Sequence, residues 1–196
     1  MLQSEKILNL VKDLEPKLIE ERRRFHINAE LSCREYETAR YILSQMAALG
    51  LSPVWVREPV SAYFEFDTGK PGKALAFRAD IDALPLQEDE YNLKQKKAAV
   101  SKNPGACHAC GHDGHTAMLL SVARAIVQCK EDLCGKFIFF FEFIDDLCIM
   151  GITGDITCYD FVVFVGCFRV DYTVFDSIAH CLIGAMFYCN IWKYRF

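Results

Sequence analysis

Apolar residues recur at helical intervals over residues 4–24 (Ile7, Leu10, Val11, Leu14, Leu18), with charges between them, which predicts a helix with one buried face. Pro16 interrupts this run. It lacks an amide donor and crowds the preceding turn, so it either starts a second helix or kinks the first. The next helix has a clearer start: Ser32-Cys33-Arg34-Glu35 has capping-box spacing, and Ala39, Ile42, Leu43, Met46 and Leu49 form an apolar face that Gly50 terminates. Strand-like runs follow at 53–56, 62–66 and 73–77, the last two joined by the turn-rich Asp67-Thr68-Gly69-Lys70-Pro71-Gly72. Residues 116–127 are apolar on most sides, as in a buried helix, and Phe137-Ile138-Phe139-Phe140-Phe141-Glu142 reads as a strand covered on both faces. Helices, strands, a loop, a helix and a strand, in that order, predict an α/β fold with helices over a sheet.

The chemistry concentrates in one loop, His108-Ala109-Cys110-Gly111-His112-Asp113-Gly114-His115-Thr116. Three imidazoles, a thiol and a carboxylate within eight positions are metal-ligand types, and the glycines let the backbone bend. Cys110 and His112, one residue apart in an extended turn, are expected to project to the same side and hold a divalent ion such as zinc. His115 is expected to open the following helix. Two further carboxylates, Asp80 and Asp82 in Arg78-Ala79-Asp80-Ile81-Asp82-Ala83-Leu84-Pro85, stand at the carboxyl end of a predicted strand, where α/β sheets place their sites, with ordinary turn or cap residues as the equal alternative. By itself, His26 after Arg22-Arg23-Arg24-Phe25 reads as structural rather than catalytic. Residues 87–103 are polar and lysine-bearing and read as a solvated loop.

Composition narrows the function classes. The formal net charge of -4 leaves no basic face for nucleic acid, and the start of the chain has no apolar core of the kind a signal peptide needs, so the reading is cytoplasmic. In that compartment the ten cysteines are expected to be free thiols and metal ligands rather than a disulfide framework.

Three separated motifs, Arg23 to Glu35, Phe77 to Gln87 and His108 to Leu120, together resemble the M20 family of metallopeptidases. The match is to its amidohydrolase branch of N-acyl-amino-acid, hippurate and auxin-conjugate hydrolases, and it covers roughly residues 5–142. Ala29 departs from the proline usual before Glu-Leu-Ser. The resemblance implies a zinc-exopeptidase-like mixed sheet flanked by helices, C-terminally incomplete, without the inserted dimerisation or lid domain. Homodimers belong to full-length relatives. It also implies two divalent metals per site (manganese, zinc, nickel or cobalt) and hydrolysis of the amide bond of a small N-acyl amino acid or peptide-like conjugate. Cys110 and His112 match two metal ligands and Asp82 the active-centre aspartate, with Asp80 as the nearby alternative. Where relatives carry a glutamate pair after the last strand, Asp145 and Asp146 stand here, as counterparts of the general base and a metal ligand respectively.

Past Asp146 nothing matches, so the chain divides into a partial catalytic domain, 1–146, and an unmatched tail, 147–196. The tail has no glutamate or proline, three basic residues (Arg169, Lys193, Arg195) and five cysteines (Cys148, Cys158, Cys167, Cys181, Cys189). A reading-frame change explains this shift best, a diverged strand-rich ending being the alternative. A membrane segment does not fit, since the longest apolar stretch, 161–168, is far short of about 20 residues. The tail is expected to supply no strand in register, leaving the 137–141 run uncovered, and the chain is expected to be inactive or nearly so as an amidohydrolase. A rival reading makes the protein a non-catalytic module with a structural Cys/His zinc site, built on Cys107-x-x-Cys110 with Cys129 and Cys134 downstream.

Overall fold

The computed structural model describes residues 3–57, 61–142 and 161–164. In chain order the elements are α1 (Gln3–Ile27), α2 (Tyr36–Ala48), β1 (Pro53–Arg57), β2 (Ser61–Asp67), β3 (Ala74–Asp80), a short hairpin of β4 (Tyr91–Asn92) and β5 (Gln95–Lys96), α3 (His112–Gln128), β6 (Lys136–Glu142) and β7 (Phe161–Phe164). Five strands form one sheet in the order β1-β2-β6-β3-β7. The β1/β2 and β2/β6 pairs are antiparallel, and β6/β3 and β3/β7 are parallel, which gives the expected mixed sheet with helices against it.

β6 lies between β2 and β3, and its run of aromatic residues follows from that position. Alternation sends Phe137, Phe139 and Phe141 to the helix side, where they join Phe64, Phe77 and the α3 residue Leu119 in the main core. Ile138 and Phe140 point the other way and pack with Ala76 and Tyr63. Both faces are buried, as the continuous apolar pattern predicts. Truncating a fully buried side chain such as Phe139 to alanine costs about 3–5 kcal/mol.

The tail departs from expectation. β7 pairs in register with β3, from Leu75 opposite Phe161 to Arg78 opposite Phe164, so the ending does supply a strand. Nor is the 137–141 run left uncovered, because β2 and β3 occupy both edges of β6.

Two local readings also change. α1 runs unbroken through Pro16. Pro16 and Lys12 are both exposed, so the carbonyl that loses its amide partner one turn earlier faces water. The capping box does not form: α2 begins at Tyr36, and Glu35 makes no side-chain cap bond. Cys33 takes a left-handed conformation (φ 64°) and turns the chain back, so that the Glu30 carboxylate accepts the amides of Glu37 (3.1 Å) and Thr38 (2.8 Å). A carboxylate seven residues upstream thus caps the helix.

One buried ion pair ties the helices together. Glu21 of α1 is fully buried, and Arg124 of α3 donates to both its carboxylate oxygens at 2.7 and 2.6 Å. Tyr41 and Gln45 of α2 complete the cluster, the former donating to Glu21 at 3.0 Å and the latter accepting from Arg124 at 2.9 Å.

Candidate metal centre

The site is built where β3 ends and α3 begins. Asp80 is the last residue of β3, paired in register with Glu142, the last residue of β6. The connector that follows is held on three sides. The Ile81 amide donates to the Glu142 carbonyl at 3.0 Å, the Ala83 amide to the Glu30 carbonyl at 2.8 Å, and Leu84 exchanges two 3.0 Å bonds with Cys107. Asp82, between these anchors, is buried.

Gly111 adopts a left-handed conformation (φ 85°) as the N-cap of α3, so the helix opens at His112, three residues earlier than the sequence suggests. His112 therefore belongs to the first helical turn and not to an extended turn shared with Cys110. The exposed Cys110 lies before this reversal and outside the cluster described next. Three positions apart on one helix, His112 and His115 bring their rings together on the same side, tilted by 35° with 5.1 Å between centroids.

His112 Nδ1 lies 2.9 Å from Asp82 Oδ1 and 2.9 Å from the Asp82 carbonyl oxygen. Both partners are acceptors, so Nδ1 carries the proton and donates, leaving the lone pair of Nε2 available to an ion. Nε2 stands 3.9 Å from Asp80 Oδ2, and His115 Nδ1 stands 3.8 Å from the same oxygen. His115 Nδ1 is buried and has no hydrogen-bond partner among the described residues. Ligand atoms of Asp80, His112 and His115 thus lie within 4.8 Å of one another. One carboxylate oxygen and two imidazole nitrogens suit zinc and other first-row divalent ions, and a buried imidazole nitrogen without a hydrogen-bond partner fits the role of a ligand.

The charges agree with this reading. Burial opposes ionisation of Asp80, but His115, Arg78 and His112 outweigh it and hold the carboxyl below its usual range. Burial also works against a charged His112, and the carboxylates of Asp82 and Asp80 outweigh it in turn, raising its pKa. Next along the loop, burial pushes the His108 imidazole down to about 4, so it is neutral, and neither ring nitrogen has a hydrogen-bond partner among the described residues.

Of the residues singled out from sequence, Asp82, Asp80 and His112 come together, while Asp145 and Asp146 lie outside the described residues. The sequence places His115 among the loop's three imidazoles and at the start of the helix, without singling it out as a ligand. The signal that reveals it is the three-residue spacing from His112, legible once the helix is known to open at the earlier histidine.

The model of "Peptidase family M20/M25/M40" matches residues 76–143. An N-acyl-L-amino acid amidohydrolase from Geobacillus stearothermophilus is 36% identical over 146 residues, which are 74% of this chain and 38% of that protein. Residues 76–143 carry this family match, and the N-terminal portion of the chain is similar to this amidohydrolase. Solved structures agree with the fold. An aminohydrolase structure from methicillin-resistant Staphylococcus aureus superposes with a TM-score of 0.73 at 34% identity, covering 83% of this chain and 42% of that one. Bacillus subtilis YXEP, described as a dinuclear metal-binding peptidase of the M20 family, gives 0.59 at 34% identity, covering 66% and 35%. The chain spans well under half the length of the curated relatives it matches. Among the described residues, no helix is long and apolar enough to cross a membrane.

Proposed function

We propose that the protein carries one side of a metal-dependent amidohydrolase centre whose substrate is a small N-acyl amino acid or similar conjugate. The observation that carries this reading is the Asp82–His112 bond, since a carboxylate on the far nitrogen of an imidazole fixes the tautomer and aims the other nitrogen at an ion. His112, Asp80 and His115 would hold the metal, with Cys110 and Asp146 as the further ligands suggested by the family motif. When bound, a divalent ion supplies Lewis-acid chemistry that polarises an amide carbonyl and makes water nucleophilic near neutral pH.

The chain's own residues set the stage for that chemistry. Asp82 holds the proton on His112 Nδ1, and Arg78, 3.0 Å from Asp80 Oδ1, steadies the Asp80 carboxylate. The remaining task is to take a proton from water, which falls to Asp145 by the resemblance to the family motif. Its side chain is one methylene shorter than glutamate, and a misplacement of about 1 Å can cost about 100-fold in rate. We therefore expect the chain to bind divalent metal and to turn over substrate slowly or not at all.

The test loads the purified chain with zinc or manganese, measures binding calorimetrically, and assays amino-acid release from N-acetyl and N-benzoyl amino acids. Loss of one bound equivalent of metal in His112→Ala supports the centre. Absence of metal binding in the folded chain would remove the proposal, and metal-dependent turnover at ordinary enzyme rates would remove the expectation of weak activity.

A further inference from the structure

A second group of ligand-type side chains lies on the other side of the site loop. His26 at the end of α1, Glu88 in the loop after β3, and Cys107 just before the metal loop bring one ligand atom each to within 4.8 Å of one another. His26 and Cys107 are buried, and the Glu88 side chain is only 3% exposed. We propose that these three residues form a separate binding site for a zinc-like divalent ion, held by one imidazole nitrogen, one carboxylate oxygen and one thiolate.

The supporting geometry is that of a built site. His26 Nδ1 lies 2.8 Å from Asp113 Oδ2, which fixes the ring and leaves Nε2 facing Glu88 Oε1 at 2.9 Å. Asp113 is itself held by Arg22 at 2.9 Å, and the other Glu88 oxygen accepts the Ser101 amide at 2.7 Å. Ligand imidazoles and carboxylates are commonly oriented in this way. Bonds of about 2.0–2.3 Å to N, O and S place tetrahedral ligand atoms roughly 3.2–3.8 Å apart, so the triad needs shifts of only a few tenths of an ångström to around one.

Both nitrogens of His26 face carboxylates, so the ring is an imidazolium in the metal-free arrangement. Ion binding then expels the Nε2 proton and the Cys107 thiol proton to solvent. The Lys97 ammonium, 3.1 Å from Glu88 Oε1, must also leave. Its side chain is 23% exposed and can swing into water, opening the path by which an ion enters. Sulfur favours zinc and cobalt over magnesium or calcium. Because the ligands come from α1, the loop after β3 and the site loop, an ion here would clasp three separate segments.

The test is a cobalt(II) titration of the full chain carrying Cys110→Ser, followed by near-ultraviolet thiolate-to-cobalt charge-transfer absorption. The expected result is a band that saturates with added cobalt and disappears when Cys107→Ser is added. No thiolate band in the Cys110→Ser chain, or a band that survives Cys107→Ser, overturns the proposal. Should Cys107→Ser fail to fold by circular dichroism, alkylation of Cys107 in the unsubstituted chain decides, read by peptide mass spectrometry with and without zinc. Protection at least several-fold by zinc supports the site, and equal labelling rejects it.

Discussion

Asp82 and His112, separated by thirty positions in the chain, meet through a 2.9 Å bond between a carboxylate oxygen and Nδ1. Asp82→Ala leaves the imidazole free to rotate and to change tautomer. Divalent metal affinity at the centre is expected to fall about 10- to 100-fold, with Asp82→Asn retaining part of it. Calorimetric titration with zinc reads the loss, and unchanged affinity in Asp82→Ala would detach this residue from the centre.

Arg124 makes the paired bonds that satisfy the fully buried Glu21 carboxylate. Arg124→Met should therefore destabilise the fold by about 3–5 kcal/mol, since it strands a charge in the core. Replacing both partners with apolar residues of similar volume should recover much of that loss. Urea unfolding of the single and double variants measures the two effects, and a near-neutral Arg124→Met would mean that Glu21 is neutral or hydrated.

Glu35 is fully buried, and neither carboxylate oxygen has a hydrogen-bond partner among the described residues. Burial pushes its pKa from 4.5 up to about 7, the amides of Glu35, Arg34 and Cys33 pull against the rise, and the charge of Asp82 adds to it. The folded state therefore binds more protons than the unfolded state between pH 4.5 and about 7, and this residue's contribution to stability falls as pH rises through that window. Glu35→Gln should gain stability relative to the parent chain across the same interval and hold a constant advantage above it. Denaturant midpoints at several pH values test this, and a pH-independent difference would show that Glu35 titrates normally.

The cap on α2 gives a smaller and more local effect. Glu30→Ala removes the acceptor for the Glu37 and Thr38 amides and should cost about 0.5–2 kcal/mol. Ser32→Ala, by contrast, should be close to neutral, because the capping box suggested by the sequence does not form. Equal losses in the two variants would restore the sequence-based reading.

The contrast between those two residues shows what the sequence made legible. Local patterns carried well: the apolar face of α2 and its stop at Gly50, the two-sided burial of 137–141, and the placement of Asp80 and Asp82 at a strand end are all properties of neighbouring positions. What failed depended on chain reversal or distance. A left-handed Cys33 moved the helix cap from Ser32 to Glu30, and a left-handed Gly111 moved the helix start from His115 to His112. His26 read as structural because its partners, Glu88 and Asp113, are 62 and 87 positions away. Family motifs pointed to the neighbourhood of Asp82 and His112, but only folding shows which nitrogen faces which oxygen.

The position of β6 has a consequence for how the protein is made. β2 and β3 are neighbours in sequence, yet in the sheet they are separated by a strand translated more than fifty residues later. During vectorial synthesis the two earlier strands must wait with a gap between them, because pairing directly with each other would close the slot that β6 has to enter. Non-local insertion of this kind is slow, and unpaired strand edges are adhesive while it is pending. Nascent chains stalled before Glu142 should therefore recruit chaperones more strongly than chains released just beyond it.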